Sequence, residues 1–192
     1  ADTYTGRWVH KFDDVNQLKT MIRHSDVDRD LRATGPQFDA NFDTNGRINR
    51  QRQARGASEK TTALQSDYTS KFTALAMKHE SLLGAEYLYE EANRWSNTGS
   101  TANPSTNLYN PNPHDPFNAT FIHTNPTSFQ DTNLGLYGQD LIEFVPHWKL
   151  LLGGRYDDFS ADYKSATTTY SRNDRVFSYR TGLMYQPSDY ST

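Results

Sequence analysis

A chain of 192 residues with 34% hydrophobic, 22% charged and 13% aromatic residues, and a formal net charge of -3, is too aromatic for a disordered polymer and lacks the basic excess of a general nucleic-acid binder. The absence of cysteine excludes disulfide frameworks, Cys-ligated zinc and thiol catalysis, and no run approaches the roughly 18 apolar residues of a transmembrane helix. A mean hydropathy of -0.88 beside 12 Tyr, 10 Phe and 3 Trp suits a β-barrel in which only alternate residues meet lipid and aromatic girdles mark the interfaces. A secreted all-β domain fits the same numbers.

Period-2 alternation dominates from the start. One parity of the first predicted strand reads Tyr4, Gly6, Trp8, His10, Phe12, and the other Thr5, Arg7, Val9, Lys11. A short turn at Asp13–Asn16 leads to a second strand, Gln17 to about Ala33, which turns polar through His24–Asp30. Gly35-Pro36 and Asn45-Gly46 bound a loop of about a dozen residues. The third strand runs from about Arg47 to Phe72, hydrophilic first and then alternating Leu64, Ser66, Tyr68, Ser70, Phe72 against Gln65, Asp67, Thr69, Lys71. After a turn near Thr73–Leu75 the fourth carries Leu83, Ala85, Tyr87, Tyr89 against Gly84, Glu86, Leu88, Glu90. A long Asn-, Pro-, Ser- and Thr-rich connection is expected from Trp95 to about Asp131. Three strands follow, about Thr132–Phe144, His147–Lys164 and Arg175–Gln186.

Turns near 13–16, 73–75 and 145–147 are tight, and loops near 34–46, 95–131 and 165–174 are longer. Short turns at one rim and long loops at the other are the pattern of outer-membrane barrels, whereas a soluble sandwich has no reason to collect its long loops at one end. The expected fold is all-β: an antiparallel transmembrane β-barrel segment of about seven strands, with periplasmic turns and extracellular loops, 95–131 among the latter.

Little in the chain points to chemistry at a catalytic centre, and no catalytic residue is expected. Asp26-x-Asp28-x-Asp30 opens like a calcium loop, but Leu31 and Gln37 stand where that loop needs Gly and Glu, so a solvated strand face is expected and no metal site. Glu90-Glu91 and Asp157-Asp158 are adjacent carboxylates that a regular strand points to opposite faces. Arg155 and Asp157 share a parity with Lys149, a charged row suited to a wet lumen, and Gly153-Gly154 allows close approach of a neighbour. Arg47, Arg50, Arg52 and Arg55 form a basic run suited either to solvent or to phosphate and chelate oxygens. The long loop is the expected ligand-binding element, through Arg94, Trp95, Tyr109, His114, Phe117, Phe121, His123 and Phe129, because aromatics stack on planar groups and cations offset negative charge. Trp8, Phe72, Trp148 and Tyr185 are the expected interface girdle.

The segment Asn133-Leu134-Gly135-Leu136-Tyr137-Gly138-Gln139-Asp140, then Phe144, then Trp148-Lys149-Leu150-Leu151-Leu152-Gly153-Gly154-Arg155-Tyr156-Asp157, resembles the mid-barrel hairpin of TonB-dependent siderophore receptors. Ile22–Asp30, Leu82–Tyr87 and Arg180–Pro187 look like flanking strands of the same barrel. The resemblance implies a barrel of roughly 22 strands with a plugged lumen, in the outer membrane of a Gram-negative bacterium, with contacts to the lipid bilayer and lipopolysaccharide. It implies import of ferric siderophores with no directly bound cofactor, no nucleic acid, and energy from a TonB–ExbB–ExbD complex acting through a plug domain expected to lie outside this chain. Residues 1–192 are then part of the barrel domain alone. A receptor of the same fold for another nutrient, such as cobalamin or haem, and a secreted carbohydrate-binding β-sandwich remain as alternatives.

Overall fold

The computed structural model describes residues 1–37, 45–99, 105–112 and 121–187, which form strands and no helix. The strands are β1 (Asp2–Lys11), β2 (Asn16–Gln37), β3 (Arg47–Ala74), β4 (Met77–Gly99), β5 (Thr106–Asn107), β6 (Phe121–Val145), β7 (Trp148–Lys164) and β8 (Thr169–Tyr185). Seven of them pair in the order β1-β2-β3-β4-β6-β7-β8, each antiparallel to its neighbours, and the two-residue β5 pairs with the start of β3. This is a meander of up-and-down hairpins. Strands of 28 residues (β3) and 25 residues (β6) far exceed the roughly five to six residues usual in globular sheets.

The tight connections have local causes. Asp13 closes the first: its carboxylate accepts from the backbone N–H groups of Val15 and Asn16 at 2.9 and 2.7 Å and from the Asn16 side chain at 2.7 Å. Those hydrogen bonds, the Asn16 side chain foremost, hold the Asp13 carboxyl below the usual carboxylate range. Leu75 and Ala76 join β3 to β4 with φ of 52° and 59°, the doubly positive geometry that matches strand twist in a two-residue hairpin loop. His147, at φ 72°, turns β6 into β7.

Pairing sets two chemically opposite faces, because residues directly across an antiparallel ladder point the same way. One register row reads Tyr68, Leu83, Gly138, Gly154, Tyr179, and the next rows on the same face bring Leu64 beside Tyr87 and Leu134, and Tyr156 beside Phe177. The opposite face carries Arg7, Lys19, Asp67, Glu86, Tyr137, Arg155 and Arg180. Apolar residues of the first face bracket Tyr4–Phe12, Leu134–Phe144, Trp148–Tyr156 and Phe177–Tyr185. These spans are each about nine to eleven residues, the length a tilted strand needs to cross lipid.

No second layer covers the apolar face. Among the described residues only Ile48, Ala54, Ala57 and Ala92 are buried apolar side chains, while Leu83, Phe177, Tyr179 and Leu183 are each more than 60% exposed. That rules out the β-sandwich, which buries one face of each sheet against the other. The exposed face is where a barrel meets lipid, and the charged face is its lumen.

Three boundaries differ from the sequence expectation, the first being β2, which runs on to Gln37 into the loop expected over 34–46. The connection expected over 95–131 is shorter, because β4 runs on to Gly99 and β6 already begins at Phe121, paired from Gly99↔Phe121 down to Arg94↔Thr127. Its Asn, Ser, Thr and Pro residues read as loop, but the ladder needs only backbone groups. The segment keeps one irregularity, a register shift between Arg94 and Ser96 opposite Asn125, whose φ is 51°. Likewise the loop expected over 165–174 narrows to 165–168, and β8 starts at Thr169 rather than near Arg175.

Candidate functional site

The lumen face of β3, β4, β6 and β7 holds a continuous polar network. Arg155 donates to its strand neighbour Asp157 at 2.7 Å (Nη2 to Oδ1) and 2.9 Å (Nε to Oδ2), and across β6 to Glu86 Oε2 at 3.3 Å. Asn133 adds a donor to Asp157 Oδ1 at 3.2 Å. The Tyr137 ring lies 5.3 Å from the Arg155 guanidinium carbon, and its hydroxyl donates to Asp67 Oδ1 at 2.5 Å. Gln65 donates to Asp67 Oδ2 at 3.0 Å and to the Tyr137 hydroxyl at 3.1 Å.

Two glycines make these long reaches possible. A Cβ on Gly84 would collide with the Tyr137 ring, and one on Gly135 with the Arg155 guanidinium. Each large side chain therefore leans flat over the neighbouring strand and meets a carboxylate one strand further on. Parity alone predicts the lumen row of Arg155, Asp157 and Lys149. It does not reveal Gln65, Asp67, Glu86 and Tyr137 as their neighbours, since only the cross-strand register brings them together.

Above the membrane-crossing band the same face opens into a cleft of about 640 Å³ lined by Arg29, Leu31, Arg55, Arg94, Trp95 and Thr127, among others. Arg94 donates to Glu59 Oε1 at 3.0 Å, and Arg29 reaches the same oxygen at 3.4 Å. Arg55 has no ion-pair or hydrogen-bond partner among the described residues. One carboxylate thus binds two of the three guanidinium groups at the cleft, which keeps a positive excess. Trp95 borders the cleft at the register shift but has the outward parity of its register partner Gly56, which its indole covers because no Cβ obstructs it.

The structure brings together only some of the expected ligand-binding residues. Arg94 and Trp95 line the cleft, and Phe129 lies on the same inner face two residues below Thr127. Tyr109 stands apart beside β5, against Gly46 (φ 79°), with the Asn107 side chain accepting from its N–H at 2.8 Å. The backbones of Phe121 and His123 belong to β6, and their side chains, like all of His114 and Phe117, lie outside the described residues. Of the basic run, Arg47 and Arg55 have the inward parity, and Arg47 donates to the Ser105 hydroxyl at 3.1 Å. Arg50, which donates to the Asn112 carbonyl at 2.9 Å, has the outward one, and the Arg52 side chain lies outside the described residues.

The four expected girdle residues all have the lipid-facing parity. Phe72, Trp148 and Tyr185 stand beside the short turns. The Trp148 and Tyr185 rings are 4.8 Å apart, and Phe72 stacks at 4.8 Å on His79, whose Nδ1 lies 2.7 Å from Asp140 Oδ2. Trp8 sits higher, across from Thr20, and Phe12 is the aromatic beside the first turn.

The sequence profile described as TonB dependent receptor-like, beta-barrel matches residues 1–192. The chain is 24% identical over 208 residues to the probable TonB-dependent receptor BfrD of Bordetella pertussis, covering 95% of this chain and 28% of that protein. It is 27% identical over 178 residues to the catecholate siderophore receptor Fiu of Escherichia coli, covering 87% of this chain and 23% of that protein. It therefore spans about a quarter of the length of the curated relatives it matches. In fold it is similar to the open form of the ferric-catecholate import receptor Fiu of E. coli K12, with TM-score 0.82 and 20% identity over 97% of this chain and 33% of that one. The siderophore receptor PiuA of Acinetobacter baumannii aligns with TM-score 0.77 and 20% identity over 97% of this chain and 30% of that one.

Proposed function

Because this chain belongs to the TonB-dependent receptor β-barrel family, whose members are Gram-negative outer-membrane proteins, we propose that it is barrel wall from a receptor that binds ferric siderophores and imports them. The single observation that carries the ligand class is the cleft of Arg29, Arg55 and Arg94 on the inner wall above the membrane band. Three guanidinium groups against one carboxylate favour an anion, and planar guanidinium groups favour one with flat aromatic donors. A ferric tris-catecholate, with iron(III) held by three dianions, is such an ion. Trp95 at the edge of the cleft and Phe129 below it add aromatic rings to the ligand-facing surface. Phe72, Trp148 and Tyr185 hold the periplasmic rim at the lipid–water interface, with Trp8 deeper in the lipid.

In the whole receptor a plug domain fills the lumen, and the TonB–ExbB–ExbD complex supplies energy through it. The wall itself performs no chemistry: iron stays wrapped by its chelator, so no protein ligand to the metal is needed. The test is equilibrium binding of ferric tris-catecholate to full-length receptor. Arg94→Gln and Arg55→Gln should each weaken binding on the order of tenfold, the worth of one charge-assisted hydrogen bond. Unchanged binding in the double variant would remove the cleft from the ligand site.

A further inference from the structure

Up to Arg29 the charges of β1 and β2 are sorted by face; beyond it Arg32 has the outward parity and pairs with Asp30 at 2.7 Å. Every lysine and arginine from Arg7 to Arg29 on these strands (Arg7, Lys11, Lys19, Arg23 and Arg29) has the inward parity, and every acid (Asp2, Asp26, Asp28 and Asp30) has the outward one. Successive register rows place Lys11 beside Gln17, Lys19 beside Val9, Arg7 beside Met21 and Arg23 beside Thr5. One cation therefore stands in each of four rows. From Gln17 to Arg23 that is a rise of about 20 Å at roughly 3.3 Å per residue, most of the way through the lipid-facing band. Arg29 continues the inward face of β2 up to the cleft.

The rest of the wall behaves differently. On β3 to β7 most inward lysines and arginines have acidic partners: Arg155 with Glu86 and Asp157, Lys71 with Glu80, Lys78 with Glu143 and Arg94 with Glu59, while Arg55, Lys149 and, on β8, Arg180 stand singly among the described residues. Arg7, Lys11, Lys19 and Arg23 have no ion-pair or hydrogen-bond partner among the described residues. Asp67, the residue across from Lys19, is already occupied by Tyr137 and Gln65. Four like charges without a partner among the described residues repel one another, and negative charge from the lumen would offset them. Rows of Arg and Lys are how pores select anions.

We propose that the inward face of β1 and β2 is an anion track, along which a negatively charged cargo moves from the cleft toward the periplasmic rim. This rests on the reading that the cargo is an anionic ferric chelate, and adds where on the wall it passes. The track binds weakly at each step and hands the anion from one cation to the next, so its loss slows transport without touching capture at the cleft.

The experiment uses the full-length receptor in its own outer membrane and ferric tris-catecholate labelled with radioactive iron. Surface binding is read in de-energised cells and uptake in energised ones, at matched surface abundance. In the triple variant R7Q/K19Q/R23Q uptake should fall on the order of tenfold or more, the scale on which charged walls change anion flux, with binding unchanged. The conservative double variant R7K/R23K should retain uptake. Wild-type uptake in the triple variant overturns the track. So does a loss of uptake accompanied by new permeability to small antibiotics, which would mean that these cations anchor a lumen-filling domain. If wild-type receptor neither binds nor imports the probe, the cargo reading fails and the track falls with it.

Discussion

The guanidinium of Arg155 on β7 crosses the full width of β6 to reach the carboxylate of Glu86 on β4, at 3.3 Å. It crosses directly over Gly135, where any side chain would collide with it. Gly135→Ala should therefore displace the guanidinium and cost about 1 kcal/mol, the low end of the range for overpacking a filled site, because the end of a flexible side chain can move aside. The check is unfolding of the full-length receptor in detergent. A variant as stable as wild type would show that the crossing is not sterically required.

The pair itself is worth less than its geometry suggests. Both side chains are about one-third exposed and face a wet lumen, which screens them. A double-mutant cycle of Arg155→Gln and Glu86→Gln should give a coupling of about 0.5–1 kcal/mol, shrinking as salt is raised. Measured coupling near zero at low salt would leave Asp157 as the only effective partner of Arg155.

Asp13 predicts a pH dependence confined to one turn. Its folded pKa lies below the unfolded value because the Asn16 side chain and the backbone N–H groups favour the carboxylate. A depressed carboxyl stabilises above its unfolded pKa of about 3.9 and loses that contribution as pH falls through the lower, folded value. Hydrogen exchange at Val15 and Asn16 should accelerate only in that acid window. Asp13→Ala should exchange faster at neutral pH and show no such acid step.

Beside the β6–β7 turn, the Trp148 and Tyr185 rings lie 4.8 Å apart on the outward face, where the proposed rim meets the interface. Trp148 fluorescence in reconstituted receptor should be quenched best by brominated acyl positions near the headgroups and poorly by those at the bilayer centre. The reverse order would misplace this rim relative to the interface.

Alternation along the chain, from Phe177 to Tyr185 and from Leu64 to Phe72, by itself separates a lipid face from a lumen face, and the tight turns at Asp13 and His147 mark one rim. Composition hides the upper strands. Asn97, Thr98, Thr124 and Asn125 read as loop because their residue types are polar, yet pairing β4 with β6 requires only their backbone groups. The sites are harder still to read from sequence. Arg155 and Glu86 are 69 residues apart in the chain, and Arg29, Glu59 and Arg94 lie on three different strands. Parity shows which face each occupies, but only the register shows which of them meet. The unpaired cations of β1 are legible as one parity in Arg7 and Lys11, and become informative only beside Lys19 and Arg23 of β2.

That this sheet separates lipid from a hydrated lumen is directly measurable, because these 192 residues contain no cysteine. Single cysteines placed in turn from Asn133 to Ile142 in the full-length receptor, spin-labelled in bilayers, report oxygen against a water-soluble relaxation agent. Strict alternation is expected, with Leu134, Leu136 and Ile142 in lipid and Asn133, Tyr137 and Gln139 in water. Equal accessibility to the water-soluble agent at both parities would contradict it.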